Sequence, residues 1–430
     1  MKDNKQILGW TMYDWANSAF ATTVMAGFFP IFFKEFWSIG VDVNRSTLML
    51  GVANSIASLI VVISAPILGA IADQGSSKKK FLICFAYIGV SMTSALFLLG
   101  AGRWVTACLF FGLGIIGFSA ANIFYDALLP TVAGESKIDF ISGLGYAFGY
   151  LGGGLLFAVN VLMYNKPGWF GLENSTMAIR FSFLTVGLWW GLFTIPLILW
   201  VKEEKRPADA RGSLIQSGLK KVASTFKEVR RLRMTFLFLI AYWLYIDGVD
   251  TIVRMAADFG LSIGFAAGDL ILALLITQFV GFPCAILFGK LGEKWDVKKS
   301  IFIGIVVYIF VTAYGMLMTH KYEFFVLAAI IGLVQGGVQA LSRSFYSRLI
   351  PPNQEAEFYG FYNMLGKFAA IIGPVLMGTI GVLVRGMGFS ADIASRSGIG
   401  SIVILFILGG FLLYQVDEEQ GQRDAMTQKR

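Results

Sequence analysis

Trp10-Thr-Met-Tyr13-Asp14-Trp15-Ala-Asn17-Ser18-Ala-Phe20 is the centre of an apolar run from residue 7 to residue 33. A run of that length crosses a bilayer, which takes roughly 20 residues, yet it sets a carboxylate about 10 Å inside one end. At helical spacing Asp14, Asn17, Ser18, Ala21 and Met25 share one face, while Trp15, Phe20 and Val24 lie elsewhere. The polar groups form a stripe that must face protein or water rather than lipid.

The remaining chain has the same character. Of its 430 residues 56% are hydrophobic, 15% aromatic and 14% charged, and the mean hydropathy is +0.70, whereas soluble proteins are about 25% charged. Apolar segments of spanning length run near 7–33, 46–72, 81–101, 104–130, 138–163, 177–201, 234–257, 267–290, 301–318, 322–350, 357–384 and 398–416. The expectation is an all-α polytopic membrane protein of twelve transmembrane helices. The Ala19-Phe-Ala21 triplet imitates a signal-peptidase site, but Asp14 and Asn17 interrupt the apolar core such a signal needs, so the first span is expected to be retained.

Basic residues fall in the short connections. Lys78-Lys79-Lys80, the 202–233 segment and Lys290, Lys294, Lys298 and Lys299 all lie on one side if the N-terminus is cytoplasmic, so both termini are expected there, in a bacterial inner membrane. The net charge of +8 thus reads as a topology signal rather than a nucleic-acid footprint. Segment 202–233 divides the spans into halves, 1–201 and 234–416, followed by a 417–430 tail. Within it Ile215, Leu219, Val222, Phe226 and Val229 recur opposite Lys220, Lys221, Lys227, Arg230 and Arg231. Residues 213–231 therefore describe either a basic helix lying on the anionic leaflet or a solvated linker helix.

Three cysteines without C-x-x-C spacing and a single histidine, His320, exclude a zinc site and His-based catalysis. Cys84, Cys108 and Cys284 read as packing residues. No phosphate-cradling Gly-x-x-x-x-Gly-Lys-Ser/Thr loop is present, so direct ATP drive is not expected, nor is any cofactor.

Overlaying the halves reveals a repeat. Phe124-Tyr-Asp-Ala-Leu-Leu-Pro130 ends the fourth span and Phe345-Tyr-Ser-Arg-Leu-Ile-Pro351 the tenth; Gly143 and Gly149 match Gly360 and Gly366; Gly69-x-x-x-Asp73 matches Gly289-x-x-x-Glu293. Parallel six-span repeats are the architecture of major facilitator transporters, with a site between the halves near mid-membrane. The two Gly-x-x-x-acid loops resemble that superfamily's loop signature. The second, with Glu293, Lys294, Lys298 and Lys299, is the closer match; the first has Gln74 where a base is usual and an early Gly75. The resemblance implies a cytoplasmic charge relay of Asp73, Glu293 and Lys294 that holds one conformer closed, although a topology anchor with a helix cap would use the same residues.

One branch is closer still. Tyr13-Asp14-Trp-Ala-Asn17-Ser18-Ala-Phe20, Gly336-Gly337-Val-Gln339-Ala-Leu-Ser342-Arg343-Ser344 and Tyr362-Asn363-Met-Leu-Gly366-Lys367 resemble the hallmark segments of the "unknown major facilitator" family, which includes the fungal autophagy-related vacuolar effluxer. The resemblance covers nearly the whole chain and implies solute export, with amino acids the suggested cargo in fungi.

Several residues could carry the chemistry. Lys367 lies about 15 Å into the eleventh span, where a lysine costs about 2.5 to 3.5 kcal/mol, so it is either a functional group or half of a structural ion pair. Gln335, Gln339 and Arg343 line one face of the tenth span, as a cavity wall or as an interhelical stripe with Arg343 snorkelling. Asp247 is about 20 Å into the seventh span and is the candidate proton or substrate group, whereas Arg254 can pair with Asp250 and Asp258 near the outer interface. The repeat sets Asn17 opposite Asp247, Asn122 opposite Arg343 and Tyr150 opposite Lys367. Coupling charge is therefore expected in the second half, with Asn17, Asn122, Tyr146 and Tyr150 as neutral partners and Asn363 beside them. Asp14 and Asp126 are charged exceptions, suited equally to gate closure and substrate contact. The glycines of the fifth span and Pro374 in the eleventh permit close packing and a broken helix.

These residues point to a monomeric secondary transporter of small polar solutes, not an enzyme, that works by alternating access and is coupled to protons if Asp247 titrates. A lipid or glycolipid flippase of the same fold and a non-transporting sensor or scaffold are the alternatives.

Overall fold

The computed structural model describes residues 2–40, 43–75, 77–134, 137–203, 227, 229–262, 267–352, 354–368 and 372–427, and every regular element among them is helical. The first rod is α1 (Lys2–Ala19), which runs on through π-helical turns at Phe20–Phe28 and Phe33–Trp37. Then come α2 (Val43–Gly75), α3 (Lys78–Ala95), α4 (Trp104–Ala133), α5 (Ile138–Asn165), α6 (Ser175–Trp200), α7 (Arg233–Ser262), α8 (Ala267–Lys294), α9 (Val297–Gly315) and α10 (Lys321–Arg348). The described stretches of the eleventh span are α11 (Glu355–Phe368) and α12 (Ile372–Gly386). A last rod of α13 (Ala391–Ser401) and α14 (Val403–Gln415) precedes the short α15 (Glu418–Thr427). The expected membrane-surface helix at 213–231 falls almost wholly outside the described residues.

Among the described residues 10 helices are long and apolar enough to cross a membrane. They are α2 to α10 and the α13–α14 rod, and they follow the apolar runs, with ends that differ by up to about ten residues in either direction. The two expected spans missing from that set are the irregular ones. The 3.6-residue stripe of the first span holds through Ser18, after which the helix widens into π turns, a distortion common at functional sites. The eleventh span is described on either side of residues 369–371. Pro374 is the third residue of α12, a position where its missing N–H leaves no helical bond unmade.

Lys78, Glu203, Glu355, Arg348 and Glu418 meet at one end of the bundle, where Gln6 also accepts the N–H of Lys202. This basic end holds the Lys78–Lys80 run, the α8–α9 loop and both ends of the described chain. The principal contacts between helices of residues 1–201 and those beyond 233 are α2 on α11 and α5 on α8. Leu188, Phe310 and Phe411 point outward, more than half exposed, as side chains do that face lipid. Cys84 is exposed rather than packed, and all three thiols are free.

Candidate functional site

The polar stripe of α1 faces α4 and α5. Asn17 donates through Nδ2 to Asn122 Oδ1 at 2.6 Å, and the Tyr125 hydroxyl donates to Asp14 Oδ2 at 3.1 Å. Trp10 lies flat on Tyr125, ring centroids 4.2 Å apart, and its indole N–H reaches the Tyr125 carbonyl at 2.9 Å. A Cβ on Gly149 would stand 2.6 Å from Ser18 Oγ, and one on Gly152 would meet Trp15, so α5 approaches the stripe only because it is glycine there.

Arg343, 2% exposed, enters from α10. Its Nη1 donates to Asp126 Oδ1 at 3.0 Å and lies 4.0 Å from Asp14 Oδ2. Its Nε donates to Ser142 Oγ and its Nη2 to the Ser142 carbonyl, both at 3.0 Å. The guanidinium carbon sits 4.5 Å from the Tyr146 ring, 5.0 Å from Trp10 and 5.4 Å from Tyr125. Removing a guanidinium from water costs on the order of several kcal/mol, and here each N–H direction has an acceptor and the flat faces are covered by rings. Arg343 therefore does not snorkel. Asn363 on α11 donates to the other Asp126 oxygen at 3.0 Å, and the Tyr359 hydroxyl donates to the Arg343 carbonyl at 3.0 Å.

Nearer the basic end the two Gly-x-x-x-acid loops fare differently. Lys78 bridges Asp73 at 3.1 Å and Glu355 at 2.7 Å, with the Lys78 and Asp73 side chains 7% and 1% exposed. Asp73 also accepts the N–H of Glu357 at 2.9 Å, which ties α2 to the first turn of α11. Glu203 accepts the N–H groups of Lys78 and Lys79 and so caps α3. In the other loop Glu293 and Lys294 are exposed and have no ion pair or hydrogen bond among the described residues. Their place is taken by Arg348, which bridges Asp139 on α5 and Glu418 on α15. The loop that departs from the superfamily pattern thus holds the buried latch, and the closer match does not. The missing base at Gln74 is supplied by Lys78.

Both loops nonetheless stand at a glycine crossing. A Cβ on Gly69 would strike the Ala356 carbonyl, and one on Gly360 would lie 2.8 Å from the Ala65 carbonyl. A Cβ on Gly143 would lie 2.7 Å from the Ala285 carbonyl and 2.9 Å from the Gly289 Cα. The repeat pairs Gly69 with Gly289 and Gly143 with Gly360, so the two crossings are equivalent, backbone on backbone.

Towards mid-membrane, Tyr150 packs on α8 and α10, its ring 3.0 Å from where a Gly281 Cβ would stand. Gln278 donates to Thr22 at 2.6 Å and joins α8 to the π-helical part of the first rod. Gln335 keeps a buried Oε1 with no partner among the described residues, and Gln339 beside it is half-buried. Tyr242 stacks on Tyr362 at 4.2 Å, and Tyr362 on Tyr346 at 5.0 Å. Asp247 is fully buried. Its carboxylate accepts the N–H groups of Ile372 at 3.0 Å and Gly373 at 2.9 Å, and the Thr251 hydroxyl at 3.2 Å. It takes up the first two N–H groups of α12, a place where a carboxylate is favoured. The side chains of Lys367, Arg254 and Asp258 lie outside the described residues.

Asp14, Asp126, Tyr146, Arg343 and Asn363 are therefore one connected cluster, Asn17 and Asn122 pair with each other on the same stripe, and Asp247 is engaged elsewhere. Charge crosses the interface as first-half carboxylates against a second-half guanidinium, not as charges gathered in the second half. Ser142, Gln278, Glu355 and Tyr242 were not singled out from the sequence, and of these only Gln278, a lone amide in an apolar run, had a visible signal.

A helical membrane bundle with a polar, charge-paired interface between its two sets of spans is the arrangement of a secondary transporter of the major facilitator class, and relatives agree. The MFS-type transporter YxiO of Bacillus subtilis (strain 168) is 37% identical over 417 residues, 96% of this chain and 95% of that protein. Autophagy-related protein 22 of Coccidioides immitis (strain RS) is 24% identical over 544 aligned positions, 98% of this chain and 88% of that protein. The fold is that of the MFS proton:xylose symporter XylE, with a TM-score of 0.69 at 12% identity over 98% of this chain and 96% of that one. The sequence profile described as "Vacuole effluxer Atg22 like" matches residues 38–426, and the chain belongs to that family.

Proposed function

We propose that this transporter moves a small polar solute, amino-acid-like in size, by rocking residues 1–201 against 234–416 as a monomer in a cytoplasmic membrane, with the basic end and both termini cytoplasmic. The observation that carries the reading is the pair of glycine crossings at that end, sealed above by the Arg343 cluster. Together they describe a closed cytoplasmic gate, below mid-membrane groups such as Gln335 that still have hydrogen-bonding capacity to offer a solute. Asp14 and Asp126 act in the gate. Asp247, held by the N–H groups of Ile372 and Gly373, fixes α12 to α7.

Efflux from a vacuole delivers solute to the cytoplasm, so the same orientation in a cell membrane fits uptake as well as export, and flux must be read in both directions. Purified protein in liposomes loaded with amino acids, peptides and organic anions, followed with and without a pH gradient, tests the reading. Saturable movement of one class is expected. Leakage no faster than from empty liposomes for every class would contradict it.

A further inference from the structure

Every polar and aromatic contact that the Arg343 guanidinium makes among the described residues comes from Asp14, Asp126, Ser142, Trp10, Tyr125 and Tyr146. All six stand on α1, α4 and α5; α10 contributes the cation and nothing around it. The first six spans therefore carry a complete guanidinium receptor into which a later helix inserts one side chain.

Its chemistry is specific. Nε, Nη1 and Nη2 each have their own acceptor, which matches a planar fork rather than the compact point charge of an ammonium. The ring faces of Trp10, Tyr125 and Tyr146 lie within 5.4 Å of the guanidinium carbon, the range of cation–π attraction. Two carboxylates stand against one cation, and the Asp14 oxygen is still 4.0 Å from Nη1, so an anion would be repelled. Bonds within the first six spans hold part of the receptor without Arg343, Tyr125 to Asp14 and Trp10 to the Tyr125 carbonyl, while Asp126 is also held by Asn363 on α11 and Ser142 Oγ donates to the Ala340 carbonyl on α10.

The geometry points to a cation-binding site that is occupied by Arg343 while the cytoplasmic end is closed and is vacated when α10 and α11 swing away from α1, α4 and α5. It then takes the guanidinium group of a small organic cation, with an ammonium binding less well. Arg343 is a built-in competitor: closing the gate expels the solute's cationic group from the receptor, and a bound cation holds the gate open. This inference rests on the alternating-access reading above and names a substrate class for it.

The test uses the full chain in nanodiscs with methylguanidinium and L-arginine as probes. Arg343→Ala, which empties the receptor, should bind methylguanidinium at least tenfold more tightly than the unmodified chain, and adding Asp126→Asn should remove that gain; L-glutamate and acetate should bind neither form. Equal binding with and without Arg343, or a gain that survives Asp126→Asn, overturns the inference. If Arg343→Ala does not fold, a cysteine at Ala356, buried under the α2–α11 crossing, serves in a chain otherwise free of cysteine. Methylguanidinium should raise its labelling several-fold, and an unchanged rate overturns the inference equally. Flux of a neutral or anionic solute without guanidinium binding would remove the receptor and leave the transport reading. Guanidinium binding without flux of any solute would do the reverse.

Discussion

Around Gly69 the helices α2 and α11 touch backbone to backbone, and a buried triad of Asp73, Lys78 and Glu355 locks them. Around Gly289 the helices α8 and α5 touch in the same way, but the acid and base of that loop, Glu293 and Lys294, stand in the open and a half-exposed Arg348 does the joining. The repeat has thus kept the packing device twice and the electrostatic device once. Close approach depends only on the absence of a side chain, which both copies retain. A buried ion pair needs a partner from another helix, and only α11, with Glu355 and the Glu357 N–H, supplies one.

The comparison can be broken in several places. The largest effect is expected deepest, at Arg343→Ala. Losing one partner of a buried pair strands Asp126 and Asp14, a destabilisation of about 3 to 5 kcal/mol, read as a lowered thermal midpoint in nanodiscs that Asp126→Asn partly restores. A variant as stable as the parent would mean that the pair does not hold the gate.

Lys78→Ala comes next, at about 2 to 3 kcal/mol because Asp73 and Glu355 would be left buried without their cation near the membrane edge. Lys294→Ala should leave unfolding unchanged. Equal losses in the two variants would erase the asymmetry between the loops. Gly143→Val and Gly360→Val should instead resemble each other, each overpacking a crossing by about 1 to 3 kcal/mol and slowing flux by obstructing closure. If only one impaired flux, the equivalence of the crossings would fail. Arg348→Ala, partly exposed, should cost about 1 kcal/mol or less in the same unfolding assay.

How much of this was legible beforehand follows from what a sequence encodes. Helix positions were, because spanning helices are runs of apolar residues and those runs are visible. The polar stripe of α1 was legible from the spacing of Asp14, Asn17 and Ser18. Asp73 was legible as a latch acid from its loop, but its partners were not, because it reaches Glu357, 284 residues away, through a backbone N–H that has no sequence signal. The partners of Asp247 were hidden for the same reason, since they are the amides of Ile372 and Gly373. The aromatic walls around Arg343 were hidden in an excess of aromatic residues, most of which only pack.

The central claim is that the basic end is a gate closed by Arg343 and the two crossings, and that it opens as the opposite end closes. Electron–electron distance measurements on spin labels test it directly, with one pair at the exposed Lys80 and Lys294 of the basic end and another at the exposed Trp169 and Leu317 of the far loops. In the parent chain the Lys80–Lys294 distance should be short and narrowly distributed. In Arg343→Gln it should lengthen while the Trp169–Leu317 distance shortens. Distances that stay fixed in both pairs, or that lengthen together, would contradict the account.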